Sequence, residues 1–589
     1  MLLAILGVTL AGAVPFARAT DGPPPEATKL GAAGPGARAA LLERLARLTQ
    51  SGQFLFGQEN ATLWGMYSQG ALVSTSKWFE TTAGAGRFTS DSEAVVGDNP
   101  AVLGVSLGML AFEPTGWNRR AVIAEAIRRQ FAQGGLVTMD WHAPSCNAGA
   151  SVQSEALATV KANGRDVVIR PILGGSSFYA EDEYHRAITS RADIPETLKC
   201  LCQIANDVPL TAGPYQGTTG MTWLVAHAKH AAKVLREERL SGLPIIMRPF
   251  HEHTGSWFWW GQPYWNCGAL LGKPDAVSGP DAYKAMVRAF VSTMRAEPGM
   301  NNLLFAYSTD RLLGPEEGER FTVAQNKAME PAAQARDQLR ERLVRELGAA
   351  GLANVSPAQR AATLPASRAT SARRAEIYVA QRRPYYVEAY AGDDVFDVLG
   401  IDLYHPIARA ANQADLKLFR LQLRVLAEEA RSRAKPYALT EAGTYRLQLE
   451  ELARKAGPRG SLLVNDKKSV DAALALLFDP LDRVALLRHF GLSASGPIVL
   501  SAAERTSVVP SVAEDWFNRQ LLVLAKEARV AYALVWQTYY DGIATGHYFN
   551  YYVPYPGHPE ARNFERFYAD PASCFLRDAC PRGPSATPP

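Results

Sequence analysis

Residues 244–261 read PIIMRPFHEHTGSWFWWG. A short apolar run (PIIMRPF, 244–250) stops abruptly on His251, Glu252 and His253, and the window before it, 222–239, carries apolar residues at helical spacing. Helix, fully apolar strand and polar turn follow one another, the order expected when a strand is covered on both faces. Working outward, seven further runs have the same character: FLFGQ (54–58), AVLGVSL (101–107), LVTMDWH (136–142), NLLFAYS (302–308), FDVLGIDLY (396–404), PYALTEAG (436–443) and AYALVWQ (531–537). Helical spacing recurs before two of them, at 281–295 and 516–529. Eight such units predict a (β/α)8 barrel of the α/β class, with an open doubly wound sheet as the competing arrangement. One further apolar stretch, DVVIRPILGG (166–175), is assigned to a long connection between the third and fourth strands.

The chain has 589 residues, 47% hydrophobic and 20% charged, which fits a globular protein with a large core. Lys and Arg number 62 against 58 Asp and Glu. So small an imbalance excludes nucleic acid or an anionic membrane as an electrostatic partner. An apolar run at 2–14 is too short to span a bilayer and is followed by Ala17-Arg18-Ala19, so 1–19 reads as a signal peptide and the mature protein as secreted or periplasmic. Residues 20–40, rich in Pro, Gly and Ala, read as a flexible leader. The catalytic domain is expected over 41–589, carrying two mainly helical insertions at about 312–383 and 445–512. No other window predicts a membrane span, and the oligomeric state is left open. Six cysteines permit disulfides in an oxidising compartment; Cys574 with Cys580 is the favoured pair, and the other connectivity is open. Cys200 and Cys202 are too tightly spaced for a usual zinc pair.

In a barrel of this kind reactive groups sit at the C-terminal strand ends. A lone acid there is usually solvated decoration, but the fourth run sets Glu252 among two imidazoles and the aromatic segment Trp257 to Trp260. The seventh run ends on Glu441 among small neighbours. Two carboxyl groups facing one mouth could flank a glycosidic bond, one as acid and the other as nucleophile, and Glu252 beside the tryptophans suits the acid. Tyr404, ending the sixth run, could orient the nucleophile. His142, ending the third, could contact sugar hydroxyls, and Trp536, ending the eighth, could form an apolar floor.

The segments RPFHEHTGSWFWWG, LTEAG, FGQENATLWG (56–65), GDNPAVLGVSLGML (97–110), TMDWH and HYFNYYVPYPGHPEARNFERFYADP (547–571) together resemble glycoside hydrolase family 26, best known for endo-β-1,4-mannanases. The resemblance runs from about 53 to 575, interrupted by the two insertions. It implies a retaining enzyme with Glu252 as acid/base and Glu441 as nucleophile, and His251, Trp257, Tyr404, His142 and Trp536 in the substrate cleft. It implies a polysaccharide or oligosaccharide substrate and no metal or organic cofactor. Family members often carry Met-Asn where this chain has His253-Thr254, Arg-Asn where it has Gln537-Thr538, and Asp where Ser106 stands. The expected activity is cleavage of internal β-1,4 linkages in mannan; the alternatives are a related hydrolase of mixed-linkage β-glucan or xylan, and a non-catalytic polysaccharide-binding protein.

Overall fold

The computed structural model describes residues 36–310 apart from 69, 74, 116–118, 149–154, 172–194 and 256. It further describes 312, 375–405 apart from 377 and 381, 413–444, and 515–580 apart from 541–548, 551, 559 and 579. The expected signal peptide (1–19) and the insertion at 445–512 lie outside these residues, as does most of 312–383.

Eight parallel strands form a closed barrel: β1 (Phe54–Glu59), β2 (Val102–Ser106), β3 (Leu136–Trp141), β4 (Ile246–Pro249), β5 (Leu304–Thr309), β6 (Val398–His405), β7 (Tyr437–Thr444) and β8 (Tyr532–Val535). Each pairs with its neighbour in chain order, and β8 returns to β1 through pairs from Leu55–Tyr532 to Gln58–Val535. The eight apolar runs of the sequence are these eight strands. A short ninth strand, β9 (Ser573–Cys574), adds to the start of β1. The first four residues of the DVVIRPILGG stretch enter an antiparallel hairpin, Ala158–Ala162 with Arg165–Ile169, on the β3–β4 connection and outside the barrel.

Side chains alternate along each strand, so the barrel has separate inner and outer cores. Leu55, Val102, Leu136, Ile246, Leu304, Val398, Ala438 and Tyr532, one from each strand, belong to the inner cluster. The first helix, α1 (Ala37–Ser51), inserts Leu41, Leu45 and Leu48 into the same cluster and plugs the N-terminal end of the barrel. Each of these leucines is fully buried, a contribution of about 1.5–3 kcal/mol apiece. This helix begins inside the 20–40 stretch expected as leader, because its leucine stripe has the barrel floor to cover.

Outside the barrel lie α2 (Arg120–Ala132), α3 (Gly220–Glu237), α4 (Pro280–Ala296), α5 (Gln413–Ser432), α6 (Leu522–Ala528) and α7 (Ala561–Ala569). Thr219 caps α3, its side chain accepting from the Thr222 amide, and Pro280 opens α4 where a missing amide hydrogen costs nothing. The helix expected at 516–529 is divided into a π-helical turn (Phe517–Leu521) and α6. Outward-facing Phe56 packs on Phe564 and Phe567 of α7 and on Phe575. Among the described residues no helix is long and apolar enough to cross a membrane.

All six cysteines are paired: Cys146–Cys200, Cys202–Cys267 and Cys574–Cys580. The last is the pair favoured from the sequence. The other two tie the short helix Cys200–Ala205 to the loops that follow β3 and β4. Denatured, unreduced protein from an oxidising host is expected to titrate with no thiols, and with six after reduction; free thiols before reduction would contradict this pairing.

Candidate active site

Towards the C-terminal ends of the strands the barrel interior changes from apolar to charged. Arg248, the inward residue of β4 above Ile246, is 1% exposed and lies between two carboxylates. Its Nη1 donates to Asp402 Oδ1 of β6 at 3.0 Å and its Nη2 to Glu441 Oε1 of β7. Ser308 Oγ of β5 lies 2.9 Å from both Asp402 oxygens and 2.7 Å from Thr440 Oγ1. A guanidinium never deprotonates in a protein, so this buried cation is permanent and requires those partners.

Thr440 and Glu441 are consecutive, yet both side chains enter the interior. A register shift makes this possible: β6 and β7 slip between Ile401 and Asp402, and β7 and β8 slip between Leu439 and Ala442. Such a bulge re-aims one side chain without ending the strand. Gly400 provides the room, since a Cβ there would lie 2.4 Å from the Thr440 methyl carbon. Tyr404, two residues beyond Asp402, donates its hydroxyl to Glu441 Oε2 at 2.7 Å. His251 Nε2 lies 3.7 Å from Glu441 Oε1.

Glu252 stands just past β4 in a left-handed conformation (φ 53°), as does Phe250 (φ 54°). Each such residue costs on the order of 1–3 kcal/mol and persists only where the surroundings enforce it. Here the Glu252 amide donates to Ser308 O at 3.0 Å, Tyr283 OH to Phe250 O at 2.7 Å, and Trp260 Nε1 to His251 O at 2.7 Å. Trp257 Nε1 donates to Glu252 Oε2 at 2.6 Å. One oxygen each of Glu252, Asp402 and Glu441 lies within 4.8 Å of the others.

Burial, then the charges of Glu441, Asp310 and Asp402, push the Glu252 carboxyl well above the usual range, with the Trp257 N–H opposing. Burial and the Arg248 charge hold His251 well below its ordinary value, so its ring is neutral. Burial, then Glu441, raises Tyr404, which keeps its proton to donate.

All seven side chains expected from the sequence converge on this mouth. His142 places Nδ1 2.6 Å from Asp140 Oδ2, and its ring centroid lies 4.7 Å from that of His251 and 5.7 Å from that of Trp536. Trp257, Tyr404 and Trp536 are half-buried. The aromatic segment after Glu252 is otherwise structural: Trp259 and Trp260 are buried, and Trp259 donates to Ala143 O at 2.9 Å. His253 is also core. Burial holds it down to about 3, and its Nε2 donates to Tyr307 OH at 3.0 Å. Of the two imidazoles beside Glu252, His251 faces the site and His253 the core; of the aromatics, Trp257 bonds Glu252 and Phe258 packs edge-on against His142 and His251.

Arg248, Asp402, Asp140, Glu59 and Asp310 were not selected from the sequence. The available signal was an ionisable residue within or at the end of an otherwise apolar strand, since a buried charge is tolerated only when paired. Two triads, Asp140–His142–His251 and Glu252–Asp402–Glu441, have donor atoms close enough to hold a cation. In the second, Arg248 already occupies the charge of two members. Arg248→Ala is expected to lower stability to urea by about 3–5 kcal/mol, because Asp402 and Glu441 lose their common cation; an unchanged midpoint would contradict that.

Residues 210–317 match the family model described as Glycosyl hydrolase family 26. A mannan endo-1,4-β-mannosidase of Bifidobacterium adolescentis is 35% identical over 99 residues, 17% of this chain and 8% of that protein. One of Bacillus subtilis is 32% identical over 76 residues, 13% of this chain and 19% of that protein. The matched stretches thus span less than a fifth of either relative. Among solved structures, a family 26 β-mannanase from Bacteroides ovatus is 18% identical with a TM-score of 0.49, covering 93% of this chain and 96% of that chain. A Cellulomonas fimi endo-β-1,4-mannanase double mutant is 20% identical with a TM-score of 0.49, covering 94% and 78%. The matched segment carries Arg248, His251, Glu252 and Trp257, and through it the chain is similar to glycoside hydrolase family 26.

Proposed function

We propose that the protein is an exported retaining glycoside hydrolase that cleaves internal β-1,4 linkages of mannan-type polysaccharide. The observation that carries this reading is the pair Glu252 and Glu441, placed in one buried mouth in unlike surroundings. The approach of their oxygens to within 4.8 Å favours retention, for which carboxyl groups stand about 5–5.5 Å apart, against roughly 6.5–9.5 Å for inversion. The mannan assignment rests on the names of the two relatives, which match 17% and 13% of this chain. Export is supported by the apolar N-terminal run and by the three disulfides.

In the first step a Glu441 oxygen attacks the anomeric carbon while Glu252 gives its proton to the glycosidic oxygen, and the carbon–oxygen bond to the leaving sugar breaks. In the second, Glu252 takes a proton from water. The water oxygen attacks the same carbon, the bond to Glu441 breaks, and configuration at that carbon is kept. Arg248 and Tyr404 hold the two Glu441 oxygens in place for both steps. Among the described residues Glu252 has no such cation at hydrogen-bond distance, and it is raised by burial and by its carboxylate neighbours, the state an acid needs before reaction.

Proton NMR of mannan hydrolysis should show the β-anomer of the product first; initial α-anomer would refute retention, and turnover of lichenan or xylan but not mannan would move the substrate class. Glu441→Ala should abolish turnover in folded protein. Glu252→Ala should slow hydrolysis of polysaccharide by about 10²–10⁴-fold and formation of the glycosyl-enzyme from activated aryl glycosides far less; equal losses would remove Glu252 as the acid.

The alkaline limb of kcat/KM should lie above the ordinary carboxylate range of about 4.3, because the active form is protonated at Glu252 and is lost as pH rises through its raised pKa. Glu252→Gln assayed on an aryl glycoside should lack that limb. Its persistence would assign the limb to another group.

A further inference from the structure

Glu59, Gly104 and Asp140 occupy inward positions on three neighbouring strands, and the double displacement uses none of them. Glu59 pairs with Gly104 between β1 and β2, and Ser106 pairs with Asp140 between β2 and β3. A Cβ at Gly104 would lie 1.8 Å from Glu59 Oε2 and 3.0 Å from Glu59 Cα. The Glu59 side chain therefore fills the notch that the glycine leaves in β2, the strand separating it from Asp140. Glu59 is 1% exposed and Asp140 2%. Among the described residues, Glu59 Oε1 has no hydrogen-bond partner, and the Asp140 oxygens have none beyond the contact of Oδ2 with His142 Nδ1 at 2.6 Å.

Two buried carboxyl groups facing each other across an intervening strand can satisfy each other when one carries a proton, because the acid form is a donor and a carboxylate only accepts. A hydrogen bond to an ionised acceptor is also about twice as strong as a neutral one. Burial, then the charges of Asp140 and Glu441, hold Glu59 well above the usual carboxyl range, against the opposing Arg248. Glu59 is thus the partner that keeps the proton.

We propose that Glu59 is a positioning residue: its carboxyl O–H donates to Asp140 across the Gly104 notch, and Asp140 fixes His142 as the Nδ1–H tautomer, making Nε2 the ring's acceptor for a sugar hydroxyl. The contact with sugar rests on the glycan-cleft reading. The hydrogen bond and the tautomer do not.

The test is ¹⁵N NMR of the histidines in the unliganded full chain, with His142 assigned by its loss in His142→Gln. Glu59→Gln keeps a donor of the same shape, so it should keep the Nδ1–H tautomer and KM on mannan within about threefold. Glu59→Ala should give mixed tautomers and raise KM roughly tenfold, equivalent to about 1.4 kcal/mol, with a smaller change in kcat. Gly104→Ala, which displaces the Glu59 side chain, should reproduce the alanine result. Circular dichroism and thermal melts establish that each variant is folded. A wild-type tautomer in Glu59→Ala, or a Glu59→Gln indistinguishable from Glu59→Ala, would overturn the proposal. A wild type inactive on every β-glycan would instead overturn the proposed function, and the NMR comparison would still decide the role of Glu59.

Discussion

The Arg248 guanidinium inside a closed barrel sets the conditions for everything above it. Arg248 cannot shed its charge and cannot reach bulk water, so the barrel must bring it carboxylates. It obtains them from β6 and β7, whose residues Asp402 and Glu441 are adjacent in register. That requirement explains the bulge in β7, which turns Glu441 inward beside Thr440, and the glycine at 400 that makes room for it. The apolar lower layers, closed by α1, keep water out from beneath and strengthen each of these interactions. A weaker seal would screen the network and loosen the placement of Glu441.

Glu252 is positioned by different means. It sits on a turn rather than within a strand, in a backbone conformation that only its surroundings enforce. The aromatic segment following it and α4 supply that enforcement: Trp260 and, from α4, Tyr283 hold the His251 and Phe250 carbonyls that precede it, and Trp259 links the turn to the loop after β3. Disulfides 146–200 and 202–267 fasten the same two loops to one short helix. Rigid support of this kind keeps one wall of the cleft at a fixed distance from the other, as chemistry between two carboxyl groups demands.

The barrel was legible because strands buried on both faces read as unbroken apolar runs, eight of which stood out, three of them directly after helical windows. The two glutamates were legible because both fall where such a run meets polar residues. Arg248 and Asp402 escaped selection for the opposite reason: they lie within the runs, where a pattern of apolar residues is read through them. His253, Trp259 and Trp260 show the converse. Their chemistry suits a sugar site, but whether a residue of a tight turn faces the cleft or the core depends on backbone dihedrals at Phe250 and Glu252 that composition does not encode. The leucine stripe of α1 was present at 41, 45 and 48, and only closure of the barrel shows that it has a floor to cover.

The division of labour between the two glutamates follows from the placement of the Arg248 cation. Glu441 receives Arg248 and the Tyr404 hydroxyl, whereas Glu252 receives the Trp257 N–H and the fields of Glu441, Asp310 and Asp402. Exchanging the roles would require the cation to move to β4's own turn, beyond the reach of a side chain that points into the barrel from within that strand. The asymmetry is therefore built into the scaffold: Arg248 lies within β4 and Glu252 on the turn just past it, with three residues between them, left-handed Phe250 among them, and the cation crosses the barrel to the opposite carboxylate. A fold that fixes which carboxylate is paired also fixes which one is left to carry a proton.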